Sequence, residues 1–529
     1  MKNKLIYIIG IIALMAYTSC NLDEEIKDEL TSDVIQSDPT LLPNVVAPPL
    51  GQLRNFWYRE NVWGMQEATS DELFFPTRGA DWFDNGVWQD DYYHTWSPTH
   101  RDVVQTWNRL NNAISSANTS LLNIGKEKAD EAIEYTRYRA QVTFLRTFYE
   151  YLLYDLYRTY PRRDPFDLDF LKAPKIFRGK TGYDSLLYTA KSIINKMVTR
   201  DEAKYGEPNA DAALMLVAKL YLNQIVYTGE NGFDSCLVYL NKIINSNHYS
   251  LSNDYWQIFA VDNNKNYKKA DDEAILVAVY DDNDDYGLDN QVIWVQHTFH
   301  YSQNFGGFSN WNGCVAPEQY LITHWIQGSD TATDVRWKDN RIKASMGINL
   351  GFNYGQQYSV SGTPLKDRSG NPLIFTFDCP FKNANECQGV RVLKYPPRVQ
   401  PINTARTPND FLIWRYADVL LMKAECLVKG SSKDLNEALN IVNFIRSKRK
   451  APTITVNSID DMINKIYVER GLELYWEGHR RQDMIRFGTF LEPKTEKTEK
   501  SPERAKWLPI PQTAIDGTPG GVLTQNEGY

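Results

Sequence analysis

Several things that would fix a protein's chemistry at a glance are scarce in this 529-residue chain. Positive charge is not in excess: 58 Lys and Arg stand against 66 Asp and Glu, a net charge of −8 with histidine neutral. Nucleic-acid binders normally carry a basic surface that neutralises phosphates, so the balance argues against that class. Long apolar runs are missing too. The extended run at residues 5–16 falls short of the roughly 20 residues that span a bilayer. Only six cysteines are present and no pair has CxxC spacing, which leaves a thiolate zinc site without support. There is no H-E-x-x-H, G-x-S-x-G or G-x-x-x-x-G-K-[ST], so zinc-protease, serine-hydrolase and P-loop chemistry have no motif.

What is present begins at the N-terminus. Lys2 and Lys4 precede the apolar run, the layout of a secretory signal, and predict export. Tyr17, Thr18 and Ser19 then lead to Cys20. Small residues before one cysteine resemble a bacterial lipobox, with residues 1–19 as signal peptide and Cys20 acylated, although Tyr17 stands where such boxes usually have Leu. A plain signal peptide cut near Ser19 is the competing reading. Asp23, Glu24 and Glu25 follow Cys20, which resembles the surface-export signal of lipoproteins in the Bacteroidetes and predicts a lipid anchor on the outer face of an outer membrane. Residues 20–52 read as a lipidated linker. Without Cys20 the remaining cysteines are 236, 314, 379, 387 and 426, an odd number in an oxidising compartment, so at least one is unpaired. Cys379 and Cys387 flank a polar loop; a disulfide and two reduced thiols are both open.

Hydrophobic residues make up 42% and charged residues 23% of the chain, ordinary globular values that predict a large core. Helical periodicity runs over residues 103–124, 129–160, 183–199, 210–227 and 233–246, and again over 411–428, 435–448, 458–476 and 479–487. The expected fold is therefore mainly α, with residues 53–250 and 407–529 as a helical scaffold. Residues 251–406 change character, with short strand-prone runs such as 274–280 and 390–395 among Gly, Asn, Asp and Pro, and read as a loop-rich insertion. Two helical pairs align in register: Cys236, Leu237, Leu240, Asn241 and Ile243 recur as Ala438, Leu439, Val442, Asn443 and Ile445. They look like degenerate tetratricopeptide units of an α-α superhelix, in which each pair buries a face only by stacking on its neighbours; two ordinary helical hairpins are the alternative.

A set of segments in fixed order then resembles the SusD/RagB family of outer-membrane glycan-binding lipoproteins. These are Ala68 to Glu72, Arg78-Gly79-Ala80-Asp81-Trp82, Gly86-Val87-Trp88, His94-Thr95-Trp96, Trp107-Asn108, Arg146-Thr147-Phe148-Tyr149 and Leu153 to Tyr157. Further on come Leu220 to Asn223, Tyr227-Thr228-Gly229, Asn312 to Glu318, Arg415 to Glu425, Glu469-Arg470, Glu477 to Gly488, Leu508 to Pro511 and the closing Gln525 to Tyr529. One departure follows the Leu153 to Tyr157 helix, where the family usually has Gly-Asp/Asn-Val/Ile-Pro and this chain has Arg158-Thr159-Tyr160-Pro161. The resemblance implies a tetratricopeptide-containing scaffold that caps a SusC-like TonB-dependent outer-membrane transporter, helps deliver oligosaccharide or polysaccharide to it, and does not cut the glycan.

Sugar rings present C–H groups on a face and hydroxyls on the rim, so a binding site needs exposed aromatic platforms and polar partners. The 22 Phe, 14 Trp and 32 Tyr make 13% of the chain. Arg78, Asp81, Trp82 and Trp88 lie within eleven residues among glycines, and Trp82 is the first choice for a stacking platform, with packing under the loop as the alternative for Trp88. Around residues 297–314 lie Tyr301, Phe305, Phe308, Trp311, Asn312 and Cys314; the resemblance carries Tyr301 and Trp311 into the binding arc. Arg391 is a third polar candidate, with a structural role as its alternative. His297 and His300 have H-x-x-H spacing but no third ligand, so no metal is expected there. Asp281, Asn283 and Asp285 offer oxygen ligands for a structural Ca²⁺, yet Tyr286 and the missing closing Glu fail the EF-hand pattern, and a solvated acidic turn is the better reading. No cofactor is expected otherwise. The segment 477–486 is dense in charge, and the spacings Glu477 to Arg481 and Glu469 to Glu473 read as helix whose ion pairs brace the end of the scaffold. Two other functions compete: a secreted glycoside hydrolase, which also needs aromatics and carboxylates, and a protein-only assembly component, expected if Trp82 and Trp311 are buried.

Overall fold

The computed structural model describes residues 31–169, 171–280, 298–303, 310–397 and 408–529. Helix α1 (Leu42–Gly51) has a proline in its first turn, where no N–H is needed, and buries Leu42, Val45, Val46 and Pro49, a spacing that makes one apolar stripe. That stripe packs on the long helices α2 (Arg101–Ile124) and α3 (Ile133–Tyr157). Just before it a short helix, Ser32–Ser37, buries Ile35, whose carbonyl accepts from Tyr135 Oη at 3.0 Å. The linker reading of residues 20–52 is thus corrected from Ser32 onward. These residues are scaffold, because a few well-spaced apolar side chains suffice to dock a short helix on a large partner.

From α2 the helices pack each on the next: α3 on α4 (Gly179–Ile193), α4 on α5 (Ala210–Leu222), α5 on α6 (Phe233–Asn245), α6 on α7 (Tyr416–Lys429) and α7 on α8 (Leu435–Lys448) and α9 (Ile459–Leu474). The two pairs aligned in sequence, α5–α6 and α7–α8, stack directly through α6 and α7. Within the first pair small residues let the helices approach: Cys236 is fully buried and its Sγ donates to the Ala218 carbonyl at 3.2 Å. The tetratricopeptide-like scaffold is therefore observed. All five described cysteines are free, so Cys379 and Cys387 are not bridged.

At two places a strand stands where the periodicity predicts helix. Helix α3 stops at Tyr157 because Arg158 takes a left-handed cap (φ 56°), with its guanidinium 4.3 Å from the ring centres of both Tyr227 and Trp507. The chain then enters an antiparallel hairpin, β1 (Thr159–Arg162) with β2 (Lys175–Arg178). Residues 411–415, read as the start of a helix, form strand β9 (Phe411–Arg415) paired with β3 (Ala274–Ala278). All five β9 residues are buried, and a short continuous apolar run carries no period that separates strand from helix. The β3–β9 pair closes the base of the insertion. Beyond it lie a small three-stranded antiparallel sheet, β4 (Lys338–Asp339), β5 (Leu350–Asn353) and β8 (Arg391–Leu393), and the short pair β6 (Gly355–Gln356) and β7 (Ile374–Phe375).

The charge-dense C-terminal segment braces the scaffold, but through buried long-range pairs rather than surface pairs along one helix. Arg415, with no exposed surface, donates to Glu477 and Glu473 at 2.7 Å and to Glu273 at 3.0 Å. Arg449 donates to Glu273 and Glu473 at 2.8 Å, and Arg336 reaches Glu469 at 2.6 Å and Glu473 at 2.9 Å. Lys394 of the insertion donates to Glu477 at 2.6 Å. Such a network adds little net stability over an apolar core, but it fixes how the insertion sits on the scaffold, because a mispaired ion would be buried alone.

Candidate functional site

The 78–88 loop starts as a tight turn: Arg78 and Asp81 exchange backbone hydrogen bonds of 3.0 and 3.2 Å. Its next residues are held in the left-handed region, with φ of 62° at Trp82, 42° at Asp84 and 56° at Asn85. For a bulky residue such as Trp82 that costs about 1–3 kcal/mol, so surrounding contacts must impose it. They do so through an aromatic ladder. Trp88, 1% exposed, stacks on Phe75 with ring centres 4.2 Å apart; Phe75 stacks on Trp82 at 5.2 Å; and Trp82 meets Trp311 at 6.4 Å. Trp82 Nε1 also donates to the Trp311 carbonyl at 2.9 Å. The ladder runs from core to surface: Trp82 is half-buried and Trp311 is 42% exposed.

A chain of polar contacts starts at Asp81, the residue before Trp82, and the Arg59 guanidinium lies 5.8 Å from the Trp311 ring centre. Tyr301 Oη donates to Asp81 Oδ2 at 2.7 Å, and burial together with that carboxylate pushes the phenol up to about 12. The Arg368 guanidinium lies 4.7 Å from the Tyr301 ring centre and donates through Nε to Glu386 Oε2 at 2.8 Å. His300 Nε2 is also 2.8 Å from Glu386 Oε2. Partial burial would raise the Glu386 carboxyl, but hydrogen bonds from His300 and Arg368 outweigh it and hold the group below its ordinary range. Phe83, 52% exposed, extends the aromatic surface.

Five of the residues expected to touch ligand lie underneath instead. Trp88, Arg78, Asn312, Cys314 and Arg391 are all buried, so they shape the site rather than line it. Arg78 Nε donates to the Asn312 carbonyl and its Nη2 to the Gln388 carbonyl, both at 2.9 Å. Arg391 donates to the carbonyls of Gln388 at 2.9 Å and Gly389 at 2.6 Å, and to Asn312 Oδ1 at 2.6 Å. The two guanidiniums thus tie three chain segments together through carbonyl oxygens. Burial lowers both arginines, Arg391 far more, with Arg78 beside it adding repulsion. Asn312, itself at φ 53°, gives its amide to the Glu386 carbonyl at 3.0 Å, and burial pushes the Cys314 thiol up to about 12. Cys20, Asp281, Asn283, Asp285, His297, Phe305 and Phe308 lie outside the described residues.

Residues 272–529, which include β3, most of the insertion and the C-terminal scaffold, match the family model described as the SusD family. The chain thus resembles the SusD family through its C-terminal part. It is 24% identical over 464 residues to the starch-binding protein SusD of Bacteroides thetaiotaomicron, which covers 82% of this chain and 80% of that protein. Among solved structures it resembles a SusD superfamily protein from Parabacteroides distasonis (18% identity, TM-score 0.71, 95% of this chain and 100% of that one). It also resembles surface glycan-binding protein A of Bacteroides thetaiotaomicron in complex with laminarihexaose (20% identity, TM-score 0.64, 92% and 99%). At such identities the structural likeness establishes the SusD-like helical fold.

Within that fold, the surface residues that sequence reading missed are Phe83, Arg368 and Glu386. Phe83 stands next to Trp82 and its exposure is decided only by the left-handed turn. Arg368 and Glu386 are isolated charges in polar stretches, and nothing in their neighbours signals that the insertion folds them over Tyr301.

Proposed function

We propose that this protein is a non-catalytic cell-surface glycan binder that takes oligosaccharide on the Trp82 and Trp311 indoles and passes it to a partner SusC-like TonB-dependent transporter. One observation carries the reading: two tryptophans from distant segments are joined at the surface by a hydrogen bond and a ring contact, and a chain of polar contacts through Asp81, Tyr301 and Arg368 starts at the residue before Trp82. A sugar face laid on the indoles buries apolar area at low entropy cost, since the rings are already fixed, and the polar groups take up hydroxyls. The starch and laminarihexaose named for the relatives support a glucan-type ligand. The acids at this surface are engaged, Asp81 by Tyr301 and Glu386 by His300 and Arg368, which supports binding over hydrolysis. Acylation of Cys20 would hold the protein on the outer membrane without a spanning helix, and the binding asks for no metal or cofactor.

The test is calorimetric titration with a panel of neutral glucans, with product analysis of each mixture. Binding without new reducing ends, lost in Trp82→Ala and in Trp311→Ala while the fold persists, is the expected result. Hydrolysis, or binding indifferent to both substitutions, overturns it.

A further inference from the structure

A second groove, made of none of those residues, opens where α2, the β1–β2 hairpin and residues 513–523 meet. It has two lobes of about 430 and 350 Å³ that share Arg163 and Pro174 as a common wall, and each is of ligand-pocket size.

The larger lobe is cationic in a chain whose net charge is −8. Two of its cations are engaged: Arg162 holds Glu150 with two N–H groups, and Lys172 holds Asp167. Arg146, Arg163 and Lys175 have no carboxylate partner among the described residues, and Asp164 is the lining acid that no cation holds. Arg146 is the most exacting. One of its terminal nitrogens donates to Asn118 Oδ1 at 3.2 Å, while its buried Nε finds no acceptor among the described residues. Burial lowers its pKa even though the Glu150 and Asp164 charges nearby raise it, the direction that a further anion would reinforce. Arg163 donates one N–H to the Lys172 carbonyl at 2.6 Å, which orients the guanidinium on the rim.

The smaller lobe is neutral. Asn108, Asn111, Ser115 and Asn118 recur at helical spacing, so one face of α2 presents amides and a hydroxyl where Trp107 and Ile114 supply apolar floor. Asn118 belongs to this face and is also the Arg146 partner, so the two lobes are one continuous surface.

We propose that this groove is a second saccharide site, selective for acidic sugars, in which Arg146, Arg163 and Lys175 hold a carboxylate or sulfate group while adjoining rings lie along the Asn108, Asn111 and Asn118 face. Guanidinium groups pair bidentately with either anion, and amides beside apolar floor suit sugar hydroxyls and ring faces. The saccharide part rests on the glycan-binding reading; the anion part does not.

The protein is titrated with oligogalacturonate, with a sulfated galactan oligosaccharide that carries no carboxylate, with neutral laminarihexaose and with inorganic sulfate alone. The same titrations are run on Arg163→Gln, Lys175→Gln and Trp82→Ala. Expected is binding of at least one acidic oligosaccharide, falling with salt, about tenfold weaker in each of the first two variants and unchanged in Trp82→Ala. Which acidic sugar binds more tightly tells the carboxylate source from the sulfate source. Acidic sugars that fail to bind while laminarihexaose still does overturn this proposal and leave the glycan reading standing. Acidic binding lost in Trp82→Ala but kept in both other variants overturns it as well. Sulfate alone binding as tightly as the oligosaccharides reduces the groove to an anion site, and no binding of any sugar removes both readings.

Discussion

The Trp82 indole N–H donates to the Trp311 backbone carbonyl at 2.9 Å, and this bond joins loops 229 residues apart in the chain. It explains how a tryptophan stays in a left-handed conformation at the surface. Phe75 supports one side of the ring and Trp311 fixes its polar edge, so the platform is rigid before any ligand arrives.

That arrangement separates two kinds of tryptophan. Trp311→Ala removes a 42% exposed ring and is expected to weaken glycan binding by about tenfold or more with little change in melting temperature. Trp88→Ala empties a buried site and is expected to cost about 3–5 kcal/mol of stability. Calorimetric titration and thermal unfolding of both variants check the contrast.

Among the described residues Arg391 has no carboxylate hydrogen-bond partner; it satisfies carbonyls and the Asn312 amide. Arg391→Met should leave those buried acceptors unpaired, at about 1–3 kcal/mol for each that water does not reach. The expected readout is a lowered melting temperature together with faster amide exchange in residues 385–389.

Glu67 and Glu72 are buried side by side behind the 476–478 turn, where Glu67 accepts from the Gly478 N–H at 2.6 Å and Glu72 from the Trp476 N–H at 3.0 Å. Burial pushes Glu67 up from 4.5 to about 7, and burial plus the Glu67 charge raises Glu72 further. The folded state therefore holds protons that the unfolded chain releases. Stability from these groups is complete below pH 4.5 and falls as pH rises through about 7. Glu67→Gln should flatten the loss of melting temperature between pH 5 and pH 8; an unchanged slope counts against the assignment.

Glu425 behaves in the opposite sense. Burial would raise it, but Arg486 and Lys429 outweigh burial and hold it at about 2, with Arg486 Nε donating to it at 2.7 Å. Its contribution is complete above pH 4.5 and is lost as pH falls through about 2. Glu425→Gln is expected to lower the melting temperature at pH 7 and to shrink the acid-induced loss, measured by unfolding scans from pH 7 down to pH 3.

Much of the scaffold was legible because helical burial repeats every three to four residues. Val103, Trp107, Leu110, Ile114, Ala117, Leu121 and Ile124 of α2 are buried at that spacing. The strand at residues 411–415 was not legible, since five buried residues in a row have no period. The site was legible in part. Trp82 and Trp311 stand in Gly and Asn-rich stretches, where an aromatic has no periodic core to join. Arg78 and Arg391 look the same in sequence as surface arginines, and only the folding of residues 385–389 over them makes them internal.

By itself the sequence determined the helical scaffold, the stacked repeat pairs and the aromatic loops, because local propensity and periodic burial are properties of neighbouring residues. Which aromatics face solvent, which charges are buried, and that a cationic lobe adjoins an amide-lined helix face were decided by tertiary structure alone. Those properties depend on contacts between segments hundreds of residues apart, such as Trp82 with Trp311 and Arg78 with Asn385 and Gln388, and no local pattern encodes them.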